Sequence, residues 1–374
     1  KTILRIYENA NIKMSTEPKD LTPKWRFVTI SLTFSIITLS AANHSASGAW
    51  TSQSSKKKAG MAADDNKRKK QKELLPTDPM AEAGRLIFAR QIRRMRSHEA
   101  GSRTGADIES VHQMRVAIRR MRSLFNLIGA HYRPKTTARF ERGLRQTARA
   151  LGAIRDLDVL ILDLQHYQET LSPDDQARPG QGGHLLGAGG GACRLRLNQL
   201  LESKRYARFI RAFQRFAKRP GKGARRLKRS EAPHQLRHVL PLLLHERLAR
   251  VKAYDTVLPA SDDAILHALR VEYKQLRYAL EFFQPILGRS AGYFLKQVKE
   301  MQELLGRIND IAVFSGYVSR LNQLRPEQSA ILKGYVAARK DELVVLRERF
   351  YDDWARFNSR AAQRKFSDSL LILR

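Results

Sequence analysis

Four side chains of the segment Val111–Ile128 (VHQMRVAIRRMRSLFNLI) carry the first recognisable chemistry in the chain. His112, Arg115, Arg119 and Arg122 stand at offsets 0, 3, 7 and 10. On a helix at about 100° per residue they fall within an arc of about 80°. Guanidiniums offer forked donors that match phosphate oxygens, and a row of them about 15 Å long suits a linear polyanion rather than a single anionic group. The pattern then recurs. In His267–Phe283 (HALRVEYKQLRYALEFF), His267, Arg270, Lys274 and Arg277 repeat the offsets 0, 3, 7 and 10. An amphipathic helix requires its apolar period, here Met114, Ile118, Met121, Phe125 and Ile128 in the first copy, but not the same basic ladder twice. One basic face alone would read as a solvated surface; two with identical offsets point to a ligand.

The elements that must position these ladders are helical. From Asp78 onward the apolar spacing follows the helical period, with no strand-like alternation after residue 75, so the fold class is all-α. Helices are expected at Met80–His98, Ala138–Leu151, Asp156–Leu171 and Arg194–Lys218, the last basic nearly all round. A second set is expected at His234–Tyr254, Asp262–Leu287, Ala291–Leu305, Asp310–Leu324 and Glu327–Phe357. Asp107 is placed to cap the first ladder helix, and Gly152 to end the helix that follows it. Pro179–Gly191 holds seven glycines without the order of a phosphate-cradling loop and reads as a flexible linker; Arg219–Lys228 reads as a basic one.

The second ladder belongs to a larger repeat. Leu151-Gly152-Ala153-Ile154-Arg155-Asp156 matches Leu305-Gly306-Arg307-Ile308-Asn309-Asp310 at an offset of 154. Arg142 and Arg145 match Lys296 and Lys299 at the same offset, each pair spaced three apart on one helix face. A tandem duplication of roughly 150 residues accounts for this. The resulting division is a leader and basic arm over 1–75, a first helical repeat over 76–230, a second over 231–360 and a tail over 361–374.

Composition limits the partners. The 374 residues carry 69 Lys+Arg against 36 Asp+Glu, a formal charge of +33, and the pI is near 10.7. A field of that size implies a polyanionic partner: nucleic acid, anionic lipid or an inorganic polymer. Cys193 is the single cysteine, which excludes an internal disulfide and a cysteine-cluster metal site. Phe27–Ala42 is apolar over only 16 residues, short of a spanning helix, so stable membrane insertion is not expected. Lys19, Lys24 and Arg26 before it and Ser47-Gly48-Ala49 after it outline a secretory signal. The alternation of Val28, Ile30, Leu32, Phe34 and Ile36 with Thr and Ser opposes that reading, as does the positive load of KRKKQK at 67–72.

VHQMRVAIRRMRS, LGAIRDLDV, HALRVEYKQLRYALE and MQELLGRIND resemble the signatures of the CHAD family, helical domains named for their histidines. The resemblance covers about residues 80–360, with the motifs in order in both halves. It implies two four-helix-bundle-like repeats related by pseudo-twofold symmetry around a basic central cavity. It further implies binding of inorganic polyphosphate there, and association with polyphosphate granules for some members. By matching positions the ligand residues would be His112, Arg115, Arg119 and Arg122 with His267, Arg270, Lys274 and Arg277. Arg142, Arg145, Lys296 and Lys299 would extend the lining. The expected location is cytoplasmic, at such granules, with export as the alternative if the leader works.

No turnover, cofactor or metal is expected. H-E-x-x-H, a nucleophile elbow and paired glutamates are all missing from the sequence. Asp156, Asp158 and Asp310 read as helix caps or partners of cavity arginines. Tyr273 reads as core, and Tyr278 as core or cavity wall. The neighbouring arginines should depress the imidazolium pKa of His112 and His267, and bound phosphate should raise it again, so acidification should tighten binding. The alternatives are a non-specific nucleic-acid binder, weakened by the few aromatics among the basic positions, and a phosphoanhydride-processing enzyme, weakened by the lack of an acidic metal cluster.

Overall fold

The computed structural model describes residues 73–105, 108–169, 183–225, 234–258, 262–318 and 326–373, and these are helical almost throughout. The leader, most of the basic arm and Asp107 lie outside the described residues. In chain order the α-helices are α1 (Met80–Ser97), α2 (Glu99–Thr104), α3 (Ile108–Ile128), α4 (Pro134–Glu169), α5 (Gly183–Glu202) and α6 (Lys204–Lys218). A second series follows: α7 (Leu236–Lys252), α8 (Asp263–Phe283), α9 (Ser290–Val318), α10 (Pro326–Phe357) and α11 (Arg360–Leu370). The described residues include two isolated β-bridges and no strand. None of their helices is long and apolar enough to cross a membrane.

The duplication is visible in the order of elements. α7, α8, α9 and α11 begin 155 or 156 residues after α1, α3, α4 and α6. Neighbours recur as well: α3 packs on α1 and α4, and α8 packs on α7 and α9. Each half closes over its own aromatic cluster. In the first, Phe140 meets Phe213 and Phe216 at ring-centre distances of 4.7 and 5.0 Å. In the second, Phe294, the equivalent of Phe140, meets Phe357 and Phe366 at 5.5 and 5.0 Å. The halves join at equivalent residues. Met80 N donates to His234 O at 2.8 Å and Leu236 N to Asp78 O at 3.0 Å. Such reciprocal pairing is the pattern that a twofold relation produces. The two ladder helices, α3 and α8, also pack against each other.

Five expectations are corrected. Neither Gly152 nor Gly306 ends a helix: α4 and α9 run unbroken through them, so Asp156, Asp158 and Asp310 lie mid-helix rather than at helix starts. The helix over 194–218 breaks at Ser203, whose hydroxyl accepts from Tyr206 N at 3.1 Å and caps α6. α6 is amphipathic rather than basic all round, burying Tyr206, Ile210, Phe213 and Phe216. Residues 183–191 are helical because α5 propagates through its glycines, and adding a turn to an existing helix costs far less than starting one. The C-terminal segment is no tail: α11 buries Phe366 and Leu370 and packs on α9.

Phe213 is fully buried among Phe88, Phe125, Phe140 and Phe216. Phe213→Ala should lower the unfolding free energy by about 3–5 kcal/mol in a urea titration. A loss below about 1 kcal/mol would mean that this cluster does not hold the first half together.

Candidate anion-binding site

α3 presents the first ladder beside α4, and α8 packs on α3. Between them lies a cavity of about 490 Å³. Arg115, Arg119 and Arg122 line it from α3, Arg145 and Arg149 from α4, and Lys274 from α8. Among the described residues Glu141 is the single carboxylate of the lining and pairs with Arg145 at 3.0 Å. Six cations thus face one anion. Gly152 also lines the cavity, and a Cβ added there would stand 2.8 Å from Arg115 Nη1. The glycine leaves room for the guanidinium, which would have to shift to admit a Cβ.

The lining is lopsided, which corrects the picture of two facing ladders. Arg277 and Lys299 sit outside the cavity because Glu281 holds them. Its carboxylate accepts from Arg277 Nε at 2.8 Å, lies 4.0 Å from Lys299 Nζ and pairs with Arg120 of the other half. Arg120 is further fixed over the rings of Phe282 and Tyr278. The residue equivalent to Glu281 in the first half is the neutral Asn126, and the residue equivalent to Arg120 in the second is Gln275. Both line the cavity. The cations equivalent to Arg277 and Lys299 are Arg122 and Arg145, and these do face the open space. The exchange of Glu281 for Asn126 is thus one of the charge differences between the halves, with Gln275 for Arg120 and Glu303 for Arg149.

The remaining expected residues are placed as follows. Arg142 and Lys296 are exposed, Lys296 near Glu300 at 3.9 Å. Arg270 is buried behind Lys274; burial lowers its pKa from the ordinary value while Asp310 opposes that. His267 Nδ1 lies 2.5 Å from Asn309 Oδ1, and His112 is affected by Arg155, the equivalent of Asn309. Tyr273 is fully buried in the core, as expected, and so is most of Tyr278. Arg149, Ser123, Asn126, Glu141 and Gln275 were not expected in the lining. Arg149 carries a signal, since Arg142, Arg145 and Arg149 repeat the 0, 3, 7 spacing. Its equivalent in the second half is Glu303, so the cation does not recur there.

Comparison with known proteins agrees with this architecture. The CHAD domain family model matches residues 86–318, more than half of the sequence. The chain belongs to the CHAD domain family. Among solved structures, the crystal structure of the CHAD domain from the plant Ricinus communis is similar, with a TM-score of 0.61 and 24% identity. That match covers 76% of this chain and 95% of the other. PptA from Streptomyces chartreusis is also similar, with a TM-score of 0.56 and 14% identity over 74% of this chain and all of the other. At those identities the likeness is one of fold. No curated protein matches the chain.

The electrostatics single out one group in this CHAD domain. Burial first, then Arg270, Arg119, Arg122 and Arg115, lower the Lys274 pKa from 10.5 to about 7. Lys274 makes no ion pair or hydrogen bond among the described residues. Charging it at neutral pH costs on the order of 5 kcal/mol relative to water. His112 is pushed down to about 4, chiefly by burial and then by Arg155, with Arg119 and Arg115 adding and Glu109 opposing. The arginines act as the sequence suggested, but His112 is then neutral throughout pH 6–8. The proton coupling expected at the histidine falls to Lys274 instead.

Two consequences follow for Lys274→Met. Between about pH 7 and 10.5 the unfolded chain binds a proton at residue 274 that the folded one gives up, so folded stability rises with pH across that window. The variant should therefore melt higher than the parent at pH 7, by about 2–4 kcal/mol, with the difference vanishing near pH 10.5. An anion seated beside Lys274 raises its pKa again, so parent affinity should fall by up to tenfold per pH unit above pH 7, and the variant should lose that slope. Equal melting at both pH values would remove the buried, uncompensated lysine from the account.

Proposed function

We propose that this chain binds inorganic polyphosphate in the cavity between α3, α4 and α8, without turnover. The observation that carries the reading is the imbalance of the lining, six cations against Glu141, with Lys274 buried among arginines. A site built this way costs folding free energy, so its use lies in what it binds. Arginines supply bidentate donors, Lys274 a point charge, and the row along α3 fits a repeating anion better than one phosphate. The CHAD resemblance, which implies polyphosphate, supports the same ligand. A cytoplasmic protein at polyphosphate granules is the corresponding location.

Capture by this cavity should release counterions from the polymer, so affinity should fall steeply with salt. Calorimetric titration with long-chain polyphosphate at near-physiological salt tests the site. The parent should bind tightly and Arg119→Ala/Lys274→Ala should lose several kcal/mol, as expected when charge-assisted hydrogen bonds are removed. Equal binding by both proteins would assign the interaction to the net charge and favour a non-specific nucleic-acid binder.

A further inference from the structure

α4 carries a second basic surface that the cavity does not use. On the face of α4 turned away from it, near its first turn, lies another pocket of about 530 Å³. Arg133, Lys135 and Arg139 line it from the start of α4, and Arg215 and Lys222 from the end of α6 and the turn that follows. Among the described residues no carboxylate contributes to the lining. Lys135, Arg139, Arg215 and Lys222 make no ion pair among the described residues, and all are exposed.

The pocket is built rather than incidental. The turn after α6, expected from sequence to be a basic linker, is pinned to the start of α4. Arg133 N donates to Gly223 O and Arg225 N to His131 O, both at 2.9 Å, and Arg133 Nε donates to Ala224 O at 3.2 Å. Gly223 has φ +80°, and a Cβ there would stand 2.8 Å from Thr136 Cγ2 and 3.1 Å from the Phe216 ring. Only glycine allows the turn to seat so closely, and that seating brings Lys222 into the same lining as Arg139.

Thr136, Arg139, Arg142 and Arg145 lie three residues apart and so form one continuous surface ridge of α4. Such a ridge winds round the helix by about 60° per step as it climbs, so these four positions cover about half a turn and about 14 Å of length. Arg145 lines the cavity, while Thr136 and Arg139 line the pocket. Arg142 is exposed between them and has no ion-pair partner among the described residues. This gives a role to Arg142, which the sequence assigned to the lining and the structure places outside it.

We infer that the pocket of Arg133, Lys135, Arg139, Arg215 and Lys222 is a second subsite for the same linear phosphate polymer. The chain leaves the cavity over Arg145, crosses Arg142 and is held again at the far face of α4. The inference rests on the polyphosphate reading of the cavity. It adds that the protein selects for length: a short chain fills the cavity alone, and a long one engages both sites and gains from their linkage.

The test measures binding of tripolyphosphate and of long-chain polyphosphate to the full chain by calorimetry. Arg139→Ser/Arg215→Ser/Lys222→Ser should weaken long-chain binding at least tenfold and leave tripolyphosphate within twofold of the parent. Arg142→Glu should show the same selectivity, being on the path between the two sites. A control of equal charge, Arg360→Ser/Arg364→Ser/Lys365→Ser on α11, should change neither, and melting curves should show all variants folded. Parent-like long-chain binding by the pocket variant overturns the inference. So does an equal loss for both ligands, or for the α11 control, which would indicate the overall field. If tripolyphosphate binding by the parent is indifferent to Arg119→Ala/Lys274→Ala, the cavity reading itself fails, a result distinct from failure of the pocket arm.

Discussion

Like charges held close together repel, and this fold brings six cations to one cavity with a single carboxylate among them. The repulsion is registered at Lys274, whose pKa falls from 10.5 to about 7 between burial and four arginines. The packing that opposes it is apolar and lies elsewhere. Met114, Ile118, Met121 and Phe125 bury the opposite flank of α3, and Leu269, Tyr273, Leu276 and Leu280 do the same for α8. Each ladder helix is thus anchored by its apolar flank, and its basic flank is held where it would not otherwise settle. A polyanion bound there would relieve that arrangement, so under the proposed function affinity and instability share one origin.

The duplication supplies the scaffold, and a departure from it supplies the opening. Arg122 and Arg277 are equivalent, as are Arg145 and Lys299, yet only the first of each pair lines the cavity. Glu281 explains the difference, because it takes Arg277, Lys299 and Arg120 into one network. Its carboxylate is held below the usual range, since Arg277 and Arg120 together outweigh its burial, so it stays ionised. Asn126 at the equivalent position has no charge with which to close the other side. One half of the repeat thus ties its equivalent cations to Glu281, while the other turns Arg122 and Arg145 toward the cavity.

Much of this was legible in the sequence, and the gaps have physical causes. Apolar period fixed the helical class and the faces of α3 and α8, because core packing must follow the 3.6-residue repeat. Arg115, Arg119, Arg122, Arg145 and Lys274 were found by recurrence and do line the cavity. Recurrence could not reveal Arg149, Asn126 or Gln275, which matter because their equivalents differ in charge. Nor could it show that Gly152 serves space rather than termination. Among the described residues the glycines with left-handed backbone are Gly105, Gly221 and Gly223, and Gly152 is a helical residue under a guanidinium. A glycine that admits a neighbour and one that ends a helix look alike in one dimension.

The most direct test of the cavity as a polyanion site is a crystal structure of the full chain grown with polyphosphate. Phosphoryl oxygens should lie within hydrogen-bonding distance of Arg115, Arg119, Arg122 and Arg149, with Lys274 Nζ reaching the same chain from α8. A polymer ordered elsewhere on the surface, with the cavity holding only water, would contradict the account.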